Sequence, residues 1–471
     1  MSIFHSARLT RRIIGCVAIP SILLFQGGCA TGAPLSKKSP GRLQFAPDDR
    51  ILVLAPHPDD EALGCAGVIR EALSRNLPVR VVYFTNGDNN ELSFLLYRRH
   101  PVVLPSAVQA MGEVRSREAV AAAGALGLAR ADLTFLGYPD FGTLRIWEAH
   151  WREAAPYQAM LTRATHVAYT NALSPGAPFK AESIVSDLSR VFRGFAPTRV
   201  FVSHPSDANP DHMALYLFTQ AALWNLEAEM TPRIHPYLVH FPRWPVPHAF
   251  APEQRLDAPE IYDNDIAWQA VPLGAPDIDL KRKAVEAHRS QYAYSSKLLL
   301  SFVRSNEIFG DYAELDLASA RNAGEPSVED DPPEARRPEQ LTAEELDNYL
   351  GIAERRMRVE RGNLVIGLKF TRPLSPLVQC STFCFGHRKN RPFADQPKLR
   401  IDLGAAGVAC YDNGRKIARP PVQLNRSGRD FVLRIPLSAL GDPDLVMTST
   451  RLFMLEVPFD WMPWRTLKVK P

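Results

Sequence analysis

From Arg50 onward, short apolar runs alternate with stretches whose apolar positions recur every three or four residues. "ILVLA" (51–55), "VRVVYFT" (79–85), "LTFLGYPD" (133–140) and "RVFVSHP" (199–205) read as strands. "DEALGCAGVIREALSRN" (60–76), "SREAVAAAGALGL" (116–128) and "AESIVSDLSRVFRGF" (181–195) read as helices. Near-continuous apolar strands alternating with amphipathic helices predict an α/β unit, a mostly parallel sheet with helices on both faces. A helical stretch at 279–310 closes this unit. In such folds ligands sit outside the carboxyl ends of the strands. The polar clusters after Ala55, Thr85, Gly137 and Ser203 all fall there.

Two insertions break the rhythm. Residues 141–180 are aromatic-rich and too long for a plain connection, so they form either a lid over the site or an extra packed subdomain. Residues 89–112 are expected in the same rim. Beyond 314 the pattern changes. Residues 315–342 carry many prolines and charges with few large apolar groups, the composition of a linker. Then "LVIGLKF", "KLRIDLG", "GVACYD", "DFVLRIPL" and "LFMLEV" are short strands separated by turn residues, predicting an all-β sandwich over 343–471.

A chain of 471 residues, 46% apolar and 23% charged, is that of a globular protein with two or three domains. Its first residues change the charge picture. Arg8, Arg11 and Arg12 precede an apolar run from Ile13 to Phe25, and small residues lead to Cys29. That is the layout of an export signal over residues 1–28, with the Gly27-Gly28-Cys29 ending of a bacterial lipoprotein whose cysteine is lipidated; an uncleaved membrane anchor gives nearly the same topology. The expected location is the periplasmic face of a bacterial membrane, as an outer-membrane lipoprotein. Removing residues 1–28 takes away three arginines and no acids, so +4 becomes 4 − 3 = +1. A nearly neutral protein has no electrostatic case for binding nucleic acid. An oxidising compartment would permit a bridge among Cys380, Cys384 and Cys410, and spacing does not choose the pair.

The chemistry concentrates where the first strand ends. In "PHPDDE" (56–61), His57, Asp59, Asp60 and Glu61 crowd one turn before a helix. About 150 residues later "SHPSDANPDHMALY" places His212, with His204, Asp207 and Asp211 close by, at another strand-to-helix turn. Imidazole and carboxylate together suit zinc, and a catalytic zinc takes about three protein ligands plus an open position. Taken singly, either turn is an ordinary solvated helix cap, with Asp59 or Asp60 as the capping residue.

These two segments, with "TNGD" (85–88), Arg115, Glu118, "FLGYPD" (135–140) and "AHRSQ" (287–291), resemble the PIG-L/LmbE-like N-acetylglucosaminyl deacetylases over roughly residues 48–310. The resemblance implies a Rossmann-like deacetylase domain over 42–314, with zinc held by His57, Asp60 and His212 and Asp59 as general base. It also implies that Arg115 and Asp140 contact the sugar, with Asn209 and Asp211 beside them on the substrate side. Asn209 stands where some members carry a histidine that stabilises the oxyanion. The bland readings stay open: an Arg115–Glu118 helix pair, structural roles for His204 and His288, and packing roles for Trp147 and Trp151. The sandwich resembles carbohydrate-binding modules more weakly, and Trp461 and Trp464 either stack on sugar or close its core.

The expected function is therefore zinc-dependent removal of acetyl groups from N-acetylated amino sugars in a glycan or glycoconjugate. The alternatives are a metal-dependent amidase or esterase on another acylated substrate, and a catalytically degenerate carbohydrate-binding lipoprotein.

Overall fold

A computed structural model describes residues 34–89, 104–262, 265–317, 328–330, 341–404, 407–455 and 457–470. The expected export signal and lipidated Cys29 lie outside them, as do residues 90–103 of the expected rim and most of the expected linker.

The first strand, β1 (Ile51–Ala55), leads into α1 (Asp60–Gly64) and α2 (Ala66–Ser74). Then come β2 (Val79–Thr85), α3 (Pro105–Ala125), β3 (Leu133–Tyr138) and α4 (Thr143–Ala149). The unit continues through α5 (Ala181–Phe195), β4 (Arg199–Ser203), α6 (Pro210–Asn225), β5 (Arg233–Tyr237), α7 (Ala275–Ala287) and α8 (Arg289–Leu300). The five strands form a parallel sheet in the order β3-β2-β1-β4-β5. Alternation sorts each strand between two cores. Ile51, Val53, Val79 and Val81 face one, while Leu52, Leu54, Val82 and Phe84 face the other. Burial on both sides explains the unbroken apolar runs.

The chain leaves β1 towards β2 on one side and returns to β4 on the other. That reversal opens a crevice between β1 and β4 at their carboxyl ends, the position where this architecture binds ligands. Both candidate turns open from it.

The helix expected over 60–76 is two helices with a break at Cys65, whose φ is −135°. Glu307 accepts from the N–H groups of Gly67 (2.8 Å) and Val68 (3.2 Å), satisfying orphan donors at the start of α2. Lys281 Nζ donates to Glu307 (2.7 Å) and to Leu63 O at the end of α1 (2.8 Å). A fully buried ion pair thus pins the joint behind the first histidine-bearing turn.

The carboxy-terminal part is a sandwich of a five-stranded and a seven-stranded sheet around a core that includes Leu364, Ile366, Ile401, Leu433 and Leu452. Parts of the expected linker join it. Val328–Asp330 pairs with Ile352–Glu360, and Leu315–Asp316 pairs with Val457–Lys468. The seven-stranded sheet is covered on both faces: on Val378–His387, Cys380 and Cys384 face the sandwich core, whereas Phe383 and Phe385 face the α/β unit. Cys65, Cys380, Cys384 and Cys410 are all buried free thiols, so the bridge that an oxidising compartment would permit is not formed.

Trp147 and Trp151 are the centre of that contact. Both are fully buried. Trp147 stacks on Phe393 at 5.5 Å and meets Phe218, Phe385 and Trp464 edge-on or tilted. Trp464, 2% exposed, packs into this seam and is not free to stack on sugar along its face. The 141–180 excursion, undecided between lid and subdomain, is packed at its start by these residues and further on by Val167 and Phe179.

A candidate metal centre at the sheet edge

Three ligand atoms converge in the crevice. His57 Nδ1 lies 3.2 Å from Asp60 Oδ2, His212 Nε2 lies 3.1 Å from the same oxygen, and the two nitrogens are 3.3 Å apart. Zinc bonds of about 2.0–2.1 Å in a tetrahedron place ligand atoms about 3.3 Å from one another, so the triangle has the dimensions that a zinc-sized ion requires. All three residues are buried.

Each imidazole is turned by carboxylates on its far side. His57 Nε2 faces Asp140 Oδ1 at 3.1 Å and Asp211 Oδ2 at 3.2 Å. His212 Nδ1 faces Asp207 Oδ2 at 3.1 Å. A proton held on those outer nitrogens leaves Nδ1 of His57 and Nε2 of His212 as lone-pair donors, the arrangement in which a carboxylate sets the tautomer of a metal-binding histidine. Burial disfavours charge on these rings, yet Asp140, Asp211 and Asp60 hold His57 well above the usual imidazole range. Asp207 and Asp60 likewise lift His212 to about 9. Burial would raise Asp60 too, and the two histidines pull it well below the usual carboxylate range. Carboxylates thus surround both imidazoles, an arrangement that favours positive charge in the crevice.

Asp59 differs from its neighbour. It precedes α1 with φ 135°, a strained conformation for a residue with a side chain, and makes no capping bond to the helix. Asp60 is no cap either, since its Oδ2 accepts from His57 N at 2.9 Å. The solvated-cap reading of this turn therefore does not describe it. Glu61 Oε2 accepts from Asp59 N (3.1 Å), His288 Nε2 meets Glu61 Oε1 (2.9 Å), and Arg115 Nη2 reaches Asp59 Oδ2 (3.4 Å). The Asp59 side chain is 14% exposed, against 1% for Asp60, so it faces the opening. Burial lifts its carboxyl to about 6 against the pull of Arg115.

Of the four residues expected to contact substrate, Asp211, Asp140 and Arg115 are held by contacts within the protein. Asp211 is completely buried, and its oxygens accept from Phe141 N (2.6 Å), Thr143 N (3.2 Å) and Thr143 Oγ1. These contacts and the one to His57 Nε2 make it a brace for that ring. Asp140 is equally enclosed, one oxygen at His57 and the other accepting from Asn89 N (2.9 Å). Arg115 donates to Gly87 O and Pro58 O, both at 2.8 Å, and so ties two strand ends together. Its expected alternative partner Glu118 instead accepts from Ser290 N and Oγ. Gly87 has φ +62°, and a methyl there would run into the Arg115 guanidinium. Asn209 caps α6 by accepting from Asp211 N (2.8 Å) and is part-exposed, the one of the four that borders open space.

Asp207 carries more than its place in the chain announces. It accepts from Asn209 N, Val239 N and His240 N while facing His212. Two of those backbone donors come from a loop some thirty residues on, and no local pattern signals them. His204 is turned away among Tyr262, Trp268 and Tyr312, and burial lowers it to about 3, so it is a neutral structural ring.

Residues 52–223 match the family model described as GlcNAc-PI de-N-acetylase, PIG-L, which spans both histidine-bearing turns. A 1D-myo-inositol 2-acetamido-2-deoxy-alpha-D-glucopyranoside deacetylase of Mycobacterium sp. (strain KMS) is 28% identical over 260 residues, covering 52% of this chain and 75% of that protein. Among solved structures, a conserved protein of Thermus thermophilus is 22% identical with a TM-score of 0.32, covering 54% of this chain and 84% of that one. The N,N'-diacetylchitobiose deacetylase of Pyrococcus horikoshii is 18% identical with a TM-score of 0.34, covering 55% and 82%. Over residues 52–223 the α/β part of this chain, with its two turns closing on one buried His/Asp group, is similar to the PIG-L family of de-N-acetylases.

Proposed function

We propose that the protein removes acetyl groups from N-acetylated amino sugars with a zinc ion held by His57, Asp60 and His212. The observation that carries this reading is the triangle of ligand atoms 3.1–3.3 Å apart with a more exposed carboxylate, Asp59, directly beside it. Zinc in that site supplies polarisation of the acyl oxygen and a more acidic water. The chain supplies the rest. Asp59 takes the proton from the attacking water and returns it to the amine as the C–N bond breaks. Arg115 and Glu61 hold Asp59 at the opening, and Asn209 donates through its side-chain amide to substrate. The match to the PIG-L family model and the deacetylase activity named for the mycobacterial relative support the substrate class. The arginine-led apolar run before Cys29 supports a lipid-anchored, extracytoplasmic enzyme acting on a surface glycan.

The test is acetate release from a panel of N-acetylated saccharides, with and without a chelator. Release that stops on chelation and returns with zinc is the expected result. No release from any member of the panel by zinc-loaded protein overturns the proposal.

A further inference from the structure

Against His212, outside the triangle of ligand atoms, stands a histidine that belongs to neither polar turn. His240 lies in the segment after β5, and its ring meets the His212 ring edge-to-face, with centroids 4.7 Å apart and planes at 71°. Its backbone is fixed on both sides. His240 N donates to Asp207 Oδ2 at 2.9 Å, and His240 O accepts from Ala208 N at 2.8 Å. Asp207 is also the carboxylate facing His212 Nδ1, so one side chain positions both histidines. The charges of Asp207, His212, Asp60 and His57 all act on the His240 ring, which puts it beside the metal centre.

The ring itself is left available. His240 is part-exposed, and neither ring nitrogen hydrogen-bonds to another described residue. The two backbone bonds need no imidazole, and a phenyl ring would pack on His212 as well. What the imidazole adds is a donor, since it carries one N–H when neutral and two when protonated. Its side of the crevice matters. In the strand order β3-β2-β1-β4-β5, Arg115 holds Asp59 towards β2, donating also to Gly87 O just past that strand. His240 follows β5, on the other side of β1. Amide hydrolysis needs a proton acceptor at the attacking water and a donor at the acyl oxygen, where negative charge develops. Asp59 serves the first need, and His240 stands on the opposite flank for the second.

Resting on the deacetylase reading, we infer that His240 is a further catalytic residue, whose imidazole N–H donates to the acyl oxygen of the substrate from the β5 side of the crevice. The bond strengthens as the acyl carbon becomes tetrahedral and its oxygen gains negative charge, so it contributes more to turnover than to substrate binding. No proton leaves the ring. Asp59 alone carries the proton from the attacking water to the departing amine.

The experiment compares the wild type, His240→Phe, His240→Asn and His240→Gln as zinc-loaded full chains, on the N-acetylated sugar that the wild type deacetylates fastest. His240→Phe keeps a ring and removes the donor, whereas Asn and Gln return an N–H near the positions of Nδ1 and Nε2. His240→Phe should lower kcat by about 10²–10³ with KM within about threefold. One of the two amides should recover about tenfold of that loss. Zinc content by elemental analysis and the thermal midpoint should stay those of the wild type. A phosphonamidate analogue of the substrate, whose tetrahedral oxyanion imitates the intermediate, should bind His240→Phe more weakly in calorimetry by about the factor lost in turnover. Wild-type kcat or analogue affinity in His240→Phe, zinc lost in step with activity, or no recovery by either amide overturns the inference. No acetate from any sugar with the wild-type chain overturns the deacetylase reading and this inference with it, whereas release that His240→Phe leaves unchanged overturns this inference alone.

Discussion

Asp59 and Asp60 are chemically identical neighbours, and the fold makes them opposites. Asp60 points at two histidines and is held as a deep, permanent anion. Asp59 sits on a strained φ, reaches Arg115 and faces the opening. The division predicts distinct losses. His212→Ala should abolish metal retention in elemental analysis, whereas Asp59→Asn should keep the metal and lower turnover by about 10²–10⁴. Equal loss of metal in both would show that the roles are misassigned. Away from this site, Asp311 offers a pH prediction. Its folded carboxyl titrates at about 7, above the ordinary 3.8, so the native state binds more protons between these values. Stability from this group is therefore fully present below pH about 4 and is lost as pH rises from there through about 7. Asp311→Asn should flatten that fall, seen as a melting-temperature difference from wild type that grows in the variant's favour from pH 5 to pH 8.

At the scale of elements, the break between α1 and α2 is what aims the ligating turn. A continuous helix over 60–76 would carry its own hydrogen bonds past Cys65. Instead Lys281 takes the end of α1 and Glu307 the start of α2, in a pair with no solvent exposure at the ammonium. Removing one partner of such a pair leaves an uncompensated buried charge, at a cost of about 3–5 kcal/mol. Lys281→Met should lose about that much in urea unfolding and should also weaken metal retention, because α1 carries Asp60. Lys281→Met with Glu307→Gln should recover part of the stability, since the amide oxygen still accepts from Gly67 or Val68. The strand and helix positions were legible in the chain because burial on both faces writes unbroken apolar runs, as at Ile51–Ala55 and Val79–Thr85. The Cys65 break was not, because its cause lies about 240 residues downstream at Glu307.

In the whole molecule, the sandwich and the α/β unit share an aromatic core. Trp147 touches Phe218 on one side and Phe385, Phe393 and Trp464 on the other. Polar contacts reinforce it, Phe393 N to Asn225 Oδ1 at 2.8 Å and Arg451 to Glu148. Trp147→Ala should cost about 3–5 kcal/mol and unfold both parts in one transition, followed by calorimetry and by fluorescence. Two separate transitions would show that the parts fold independently. The same seam explains why Trp464, legible as a sugar-stacking candidate, is a packing residue: only its neighbours in space decide which face is covered.

Taken alone, the chain determined the element types, the parallel arrangement and the pairing of two polar turns, because periodicity and turn chemistry are local and each strand end announces itself. Only the family resemblance, and no spacing, singled out His57, Asp60 and His212, whose ligand atoms the fold brings together. The tertiary structure decided what distant backbone supplies. It turned Asp140, Asp211 and Asp207 into holders of the two histidines, left Asp59 at the opening and drew parts of the expected linker into the sandwich. Hydrogen-bond partners and burial belong to three-dimensional neighbours, and no spacing along the chain encodes them.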